Sequence, residues 1–167
     1  EDPEEQMPDY DAKLEALAPV VTGALPAHFH AHRADDIATA VRISGEFGLK
    51  LVVVHGTEGY LVPELLAQSN VPVITGPCLT DRAKPELVGQ TLSNPARLRA
   101  AGVKVAICTD HPETPIQYLP LCAAMAIRGG MGEEEALAAI TRNPAEIAGI
   151  SRVRLVVRDG KVVHGRL

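Results

Sequence analysis

The chain has no tryptophan, two phenylalanines and three tyrosines among 167 residues. An aliphatic core of Ala, Val, Leu and Ile must therefore do the packing that aromatic rings do elsewhere. Cysteine is scarce as well. Cys78, Cys108 and Cys122 are an odd number without metal-type spacing, so they read as free thiols in a reducing compartment, the cytoplasm. There is no basic excess. Sixteen Lys and Arg face 21 Asp and Glu, for a net charge of −5, which excludes a general binder of nucleic acid or anionic membrane. No apolar run approaches the ~20 residues that span a bilayer. The acidic start Glu1-Asp2-Pro3-Glu4-Glu5 is the opposite of a basic signal peptide. No Gly-rich phosphate loop follows the first strand, and no repeat or low-complexity tract is visible.

What is there is ordinary globular composition, 46% hydrophobic and 22% charged, in a chain long enough for one compact domain. Residues 1–8 read as a loop or frayed end. A short helix is expected over 10–18, with Leu14 and Leu17 on one face and Pro19 weakening its continuation. From Pro26 the pattern is regular. Strands are expected at 26–31, 51–54, 71–75 and 103–109. Helices are expected at 34–47, 60–69, from Asn94-Pro95 to Gly102, at 116–128, at 133–141 and from Asn143-Pro144. In the first of these, Ile37, Ala40, Val41 and Phe47 form the apolar stripe and Gly48 caps the end. In the second, Leu61, Leu65 and Leu66 point inward. Asn94 reads as an N-cap with Pro95 behind it. Residues 76–93 are loop-rich. Alternating β and α segments mean a parallel sheet with right-handed crossovers. In the tail, two Val-rich runs flank Asp159-Gly160, the signature of a β-hairpin.

The polar, chemically capable residues gather at the C-terminal ends of the four strands: His28-Phe29-His30-Ala31-His32-Arg33, His55-Gly56-Thr57-Glu58, Thr75-Gly76-Pro77 and Thr109-Asp110-His111-Pro112. In a parallel sheet these ends share one edge, where ligands bind. Five of the six histidines lie there; His164 does not. His28, His30 and His32 alternate and so lie on one face of a strand. Neutral imidazoles ligate Zn²⁺ and similar ions, and a carboxylate completes such a site or serves as general base. His30, His55 and Asp110 supply such a set from three strands. Plainer roles stand beside these: a structural histidine, a helix cap for Asp110, a loop-shaping His111, packing for Cys78 and Cys108, helix-end electrostatics for Asp35 and Asp36, and a solvated helix start for Glu133-Glu134-Glu135.

Three segments, His30-Ala31-His32-Arg33-Ala34-Asp35-Asp36, Val54-His55-Gly56-Thr57-Glu58-Gly59 and Cys108-Thr109-Asp110-His111-Pro112, resemble the metal-dependent amidohydrolases, specifically the imidazolonepropionase-like branch. The resemblance runs from about Leu14 to Ile150. It implies a fold: a parallel α/β half-barrel matching strands five to eight of a TIM-like (β/α)8 barrel. Residues 1–150 would carry the catalytic edge, and 151–167 would be a β-hairpin belonging to a small β domain. It implies that His30 is the metal-binding histidine of strand five. It implies that His55 is that of strand six, which in mononuclear members orients the hydrolytic water instead. Asp110 would be the strand-eight carboxylate that binds metal and shuttles the proton. His28, His32, Arg33, Glu58 and His111 would contact substrate or support the ligands. The implied reaction is hydrolysis of a carbon–nitrogen bond, of amide or lactam type, by metal-activated water. The metal would be zinc, one ion or two, with iron or manganese as alternatives. The partners would be a small-molecule substrate, and a second copy of the chain or a complementing N-terminal half. The family's strand-one His-x-His and its strand-four bridging residue, often a carboxylated Lys, have no counterpart in these 167 residues. The Gly-rich lead into the β domain is also short here. The chain is accordingly expected to be a fragment, a processed product or a gene remnant. The competing readings are a non-catalytic metal-binding scaffold and a small open α/β binding domain.

Overall fold

A computed structural model describes residues 9–150 and 155–165. The acidic residues 1–8 and the start of the expected hairpin run, Val153 and Arg154, lie outside the described residues.

Four strands form one parallel sheet in the order β1 (Ala27–Ala31), β2 (Leu51–His55), β3 (Val73–Thr75) and β4 (Val105–Ile107). Sequence order and spatial order coincide, as expected when each strand is followed by a crossover that returns to the next position. The register aligns His30 with Val54, Val54 with Ile74, and Ile74 with Ala106. One face of the sheet, from Ala31, Leu51, Val53, Val73, Val105 and Ile107, packs against the helices as an aliphatic core with Ile37, Leu66, Leu98 and Cys122. On the other face Val52, Ile74 and Ala106 pack with Ile147 from α8 (Arg142–Ile147), whereas His28 and His30 are exposed.

The helix α3 runs over Ala34–Phe47 and stops at Gly48, whose φ of 63° is left-handed, a conformation glycine adopts without cost. Its buried residues are Ile37, Ala40 and Ser44; Val41 is half-buried, but Phe47 is 67% exposed. The expected stripe therefore ends a turn early, with Phe47 in the last turn of α3 turned to solvent. The expected helix at 60–69 is a 3-10 turn over Gly59–Leu61 followed by α4 (Pro63–Gln68). The break at Val62 turns Leu61 outward and leaves Leu66 fully buried. Near the start, α1 (Ala12–Glu15) and α2 (Ala18–Val21) replace one helix. Pro19 sits in the first turn of α2, where its missing N–H costs nothing. Leu14 and Leu17 are exposed.

Beyond β3, the long loop 76–93 contains one 3-10 turn (Pro85–Leu87) and leads into α5 (Asn94–Ala100). After β4 come a 3-10 turn over Ile116–Tyr118, then α6 (Leu119–Arg128), α7 (Glu133–Ala139) and α8. Asn143 at the start of α8 donates from its Nδ2 to the Val105 carbonyl at 2.8 Å. The tail forms the antiparallel hairpin β5 (Leu155–Arg158) and β6 (Lys161–Gly165). Asp159 and Gly160 between them both have positive φ, 50° and 72°, as a two-residue type I′ turn requires. Among the described residues, no helix is long and apolar enough to cross a membrane.

Candidate metal centre

Three histidines meet at the C-terminal edge of β1 and β2. The ring centroids of His30 and His55 are 4.1 Å apart, those of His32 and His55 4.7 Å, and those of His30 and His32 4.9 Å. One ring nitrogen from each falls within 4.8 Å of the others. His30 and His32 come together by strand alternation, since they are two residues apart on one face. His55 does not. Its register partner is Ala31, not His30, so a regular strand would aim His55 at the opposite face. The backbone breaks the alternation: His55 has φ 73° and the next residue, Gly56, φ 50°. A left-handed non-glycine residue costs of order 1–3 kcal/mol and persists where its surroundings over-determine it. Here they do. Gly56 N–H donates to the Ala31 carbonyl at 2.9 Å and Glu58 N–H to the His32 carbonyl at 2.8 Å. A side chain at 56 is also excluded, because a Cβ there would stand 2.7 Å from Val73 Cγ1.

Two of the rings, His55 and His32, are held from behind. His55 Nδ1 lies 2.7 Å from the Gly76 carbonyl. A carbonyl only accepts, so Nδ1 carries a proton, and in the neutral ring that leaves the lone pair on Nε2, the tautomer a metal ligand needs. His32 Nδ1 lies 2.8 Å from the hydroxyl of buried Thr57, and its Nε2 lies 3.0 Å from His30 Nε2. Zn–N bonds of 2.0–2.1 Å in a tetrahedron place ligand nitrogens about 3.3 Å apart. The 3.0 Å pair is close to that separation, so small ring movements suffice to admit an ion. The donor set, three imidazoles, fits a divalent transition metal. Burial, reinforced by His55, His30 and Lys84, pushes the His32 pKa down to about 4. Burial first, then His55 and Lys84, lowers that of His30, with Asp110 opposing. Both rings therefore stay neutral, and so able to ligate, at neutral pH.

Of the expected ligands, His30 and His55 are brought together. Asp110 is outside the three-histidine group, on the loop after β4, exposed and with φ 49°. It is near enough for its charge to act on His30. No helix starts behind it, since the loop continues to Ile116, so it caps none. His32, expected to support the ligands or touch substrate, instead stands among them. His28 and His111 are exposed. Arg33 pairs with Asp35 at 3.0 Å in solvent. Glu58 Oε2 accepts from the Ala34 N–H at 3.0 Å, at the start of α3. Cys78 and Cys108 pack rather than ligate; burial raises their thiols to about 12 and about 11. A cavity of about 40 Å³ lies behind His55, lined among others by Thr75, Cys78, Asn94 and Cys122. It is an order of magnitude below the size of a substrate pocket. A larger one, about 910 Å³, opens between Pro26, Lys50, Pro72, Lys104 and Ile147, at the opposite strand ends from the histidines.

The fold agrees with what the chain is similar to. A crystal structure of an amidohydrolase from Thermotoga maritima MSB8 superposes with a TM-score of 0.85 at 37% identity, over 96% of this chain and 49% of that one. The chain is related to the amidohydrolases. Amidohydrolase tasK of Hapsidospora irregularis is 33% identical over 150 aligned residues, 70% of this chain and 15% of that protein. The chain thus spans about half the length of the Thermotoga amidohydrolase and a smaller share of tasK. No protein-family model matches it.

Proposed function

We propose that this chain carries the metal edge of a hydrolase acting on amide- or lactam-type carbon–nitrogen bonds, in the imidazolonepropionase-like branch of the amidohydrolases. The observation that carries the reading is the convergence of His30, His32 and His55 at the strand C-termini, in a chain related to amidohydrolases. In this reading His30, His55 and His32 hold a divalent ion, zinc in the first instance. Such an ion supplies Lewis acidity and makes water nucleophilic near neutral pH. Asp110 takes the proton of the attacking water and delivers it to the leaving nitrogen. The support for this role is its place on the loop after β4 and the action of its charge on His30. The sheet corresponds to strands five to eight of a (β/α)8 barrel, and the hairpin at 151–167 to part of a separate small β domain. The exposed apolar side chains of the first helical turns and the open sheet edges favour a second copy or a complementing half-barrel as partner. The three free thiols support a reducing, cytoplasmic setting.

The test is a hydrolysis screen of zinc-loaded protein, alone and with a complementing half, against lactams, cyclic imides and secondary amides. Turnover is expected, and Asp110→Asn should lower kcat by about 10²–10⁴-fold, the usual weight of a general acid–base group. Zinc uptake without turnover in either form would favour the non-catalytic scaffold instead.

A further inference from the structure

Asn94 is the first residue of α5 and 3% exposed. It does not cap that helix. Ser93 occupies the cap position, without a side-chain cap bond. The Asn94 carboxamide is spent elsewhere, and completely. Nδ2 donates to the Gly56 carbonyl at 2.9 Å and to Thr75 Oγ1 at 3.0 Å. Oδ1 accepts from the Tyr60 N–H at 3.0 Å. Both donors and the acceptor are satisfied, and a buried amide with all its bonds made fixes what it touches.

What it touches flanks His55 on both sides. Gly56 is the residue after His55 and shares its left-handed turn. Thr75 is the residue before Gly76, whose carbonyl receives the His55 Nδ1–H. Gly76 itself has no room to adjust, since a Cβ there would stand 2.3 Å from the Cys108 carbonyl oxygen. One side chain thus fixes the strained backbone that turns the imidazole and the segment that presents its acceptor. We propose that Asn94 is a positioning residue for His55, holding the ring in its Nδ1–H tautomer with Nε2 free toward the metal. The claim rests on the reading of His55 as a ligand.

The test combines two readouts on the 167-residue chain. Imidazole ¹⁵N spectra of metal-free protein report the His55 tautomer, and competition with a chromophoric chelator reports zinc affinity. Asn94→Asp keeps the size and the acceptor facing Tyr60 but removes both Nδ2 donors. Thr75→Val removes the hydroxyl that Asn94 holds, and Thr75→Ser restores it. Far-UV circular dichroism monitors the fold; if Asn94→Asp does not fold, the Thr75 pair decides. The expected result is the Nδ1–H tautomer in the parent and in Thr75→Ser. A tautomer mixture and a 10–100-fold loss of zinc affinity, the usual effect of removing a ligand's support, are expected in Asn94→Asp and Thr75→Val. An unchanged His55 tautomer in folded Asn94→Asp or in Thr75→Val would overturn the proposal. Zinc binding that survives His55→Ala would instead defeat the ligand reading. The tautomer spectra would then still decide the role of Asn94.

Discussion

At the scale of single residues, the chemistry depends on what stands behind each imidazole. His32 is the clearest case, because its folded pKa lies near 4, against 6.5 for a free histidine. The unfolded chain protonates that ring near pH 6.5 while the folded chain resists until about pH 4. In this window the unfolded state binds more protons, so stability falls as pH falls and is fully kept above it. Urea titrations of metal-free protein at pH 7.5, 5.5 and 4 should show a falling midpoint, and His32→Gln should flatten the slope. A midpoint independent of pH in the parent would remove the half-buried, neutral His32. The cysteines make a second residue-scale case. With Cys78 and Cys108 raised to about 12 and about 11, almost no thiolate exists at pH 8. Native protein should resist iodoacetamide there and react only on unfolding. Rapid alkylation of the native protein, read by mass spectrometry, would contradict the burial that raises them.

At the scale of elements, the β–α alternation was legible because each segment carries its own signals. Gly48 marks the end of α3, the Val run marks β2, and Asp159-Gly160 marks the hairpin turn. Three features were not legible, each for a physical reason. Phe47 and Leu61 fit the helical period but fall in an exposed last turn and ahead of a helix break, and periodicity carries no information about where a helix ends relative to its neighbours. Ile37→Ala should therefore cost about 2–5 kcal/mol, as for a fully buried residue, whereas Phe47→Ala should stay within about 0.5 kcal/mol. Comparable losses for the two, measured by chemical denaturation, would mean that the stripe extends through Phe47. Strand alternation likewise assigns His55 to the wrong face, and only a left-handed turn after a run of valines reverses it. Asn94 looks like a cap because Asn-Pro is a local cap signal. Its bond to Gly56 spans 38 residues, a distance over which no local pattern operates. Thr57, whose hydroxyl meets His32 Nδ1, escaped notice for the same reason. The gathering of histidines at strand ends was visible because parallel strands put all their C-termini on one edge.

At the scale of the whole molecule, the sheet has two edges, β1 and β4, among the described residues, and exposed apolar side chains at Leu14, Leu17, Val21 and Leu25. Unpaired edges and clustered apolar surface favour association. Sedimentation velocity at micromolar concentration should show a dimer or larger species, collapsing to a 1:1 complex when a complementing half-barrel is added. A single 17.7 kDa species that unfolds cooperatively would show instead that the chain closes on itself. Because the ligands reside on two adjacent strands, ion binding does not wait for that partner. It should, however, be weaker than in a complete amidohydrolase site and reversed by dialysis against a chelator. Calorimetric titration of zinc into chelator-treated protein at pH 7.5 addresses the central claim directly. One equivalent should bind, and binding should be lost in a folded His30→Ala/His55→Ala variant. No uptake by the parent, or uptake unchanged in that variant, would contradict the assignment of the histidine cluster as the metal centre.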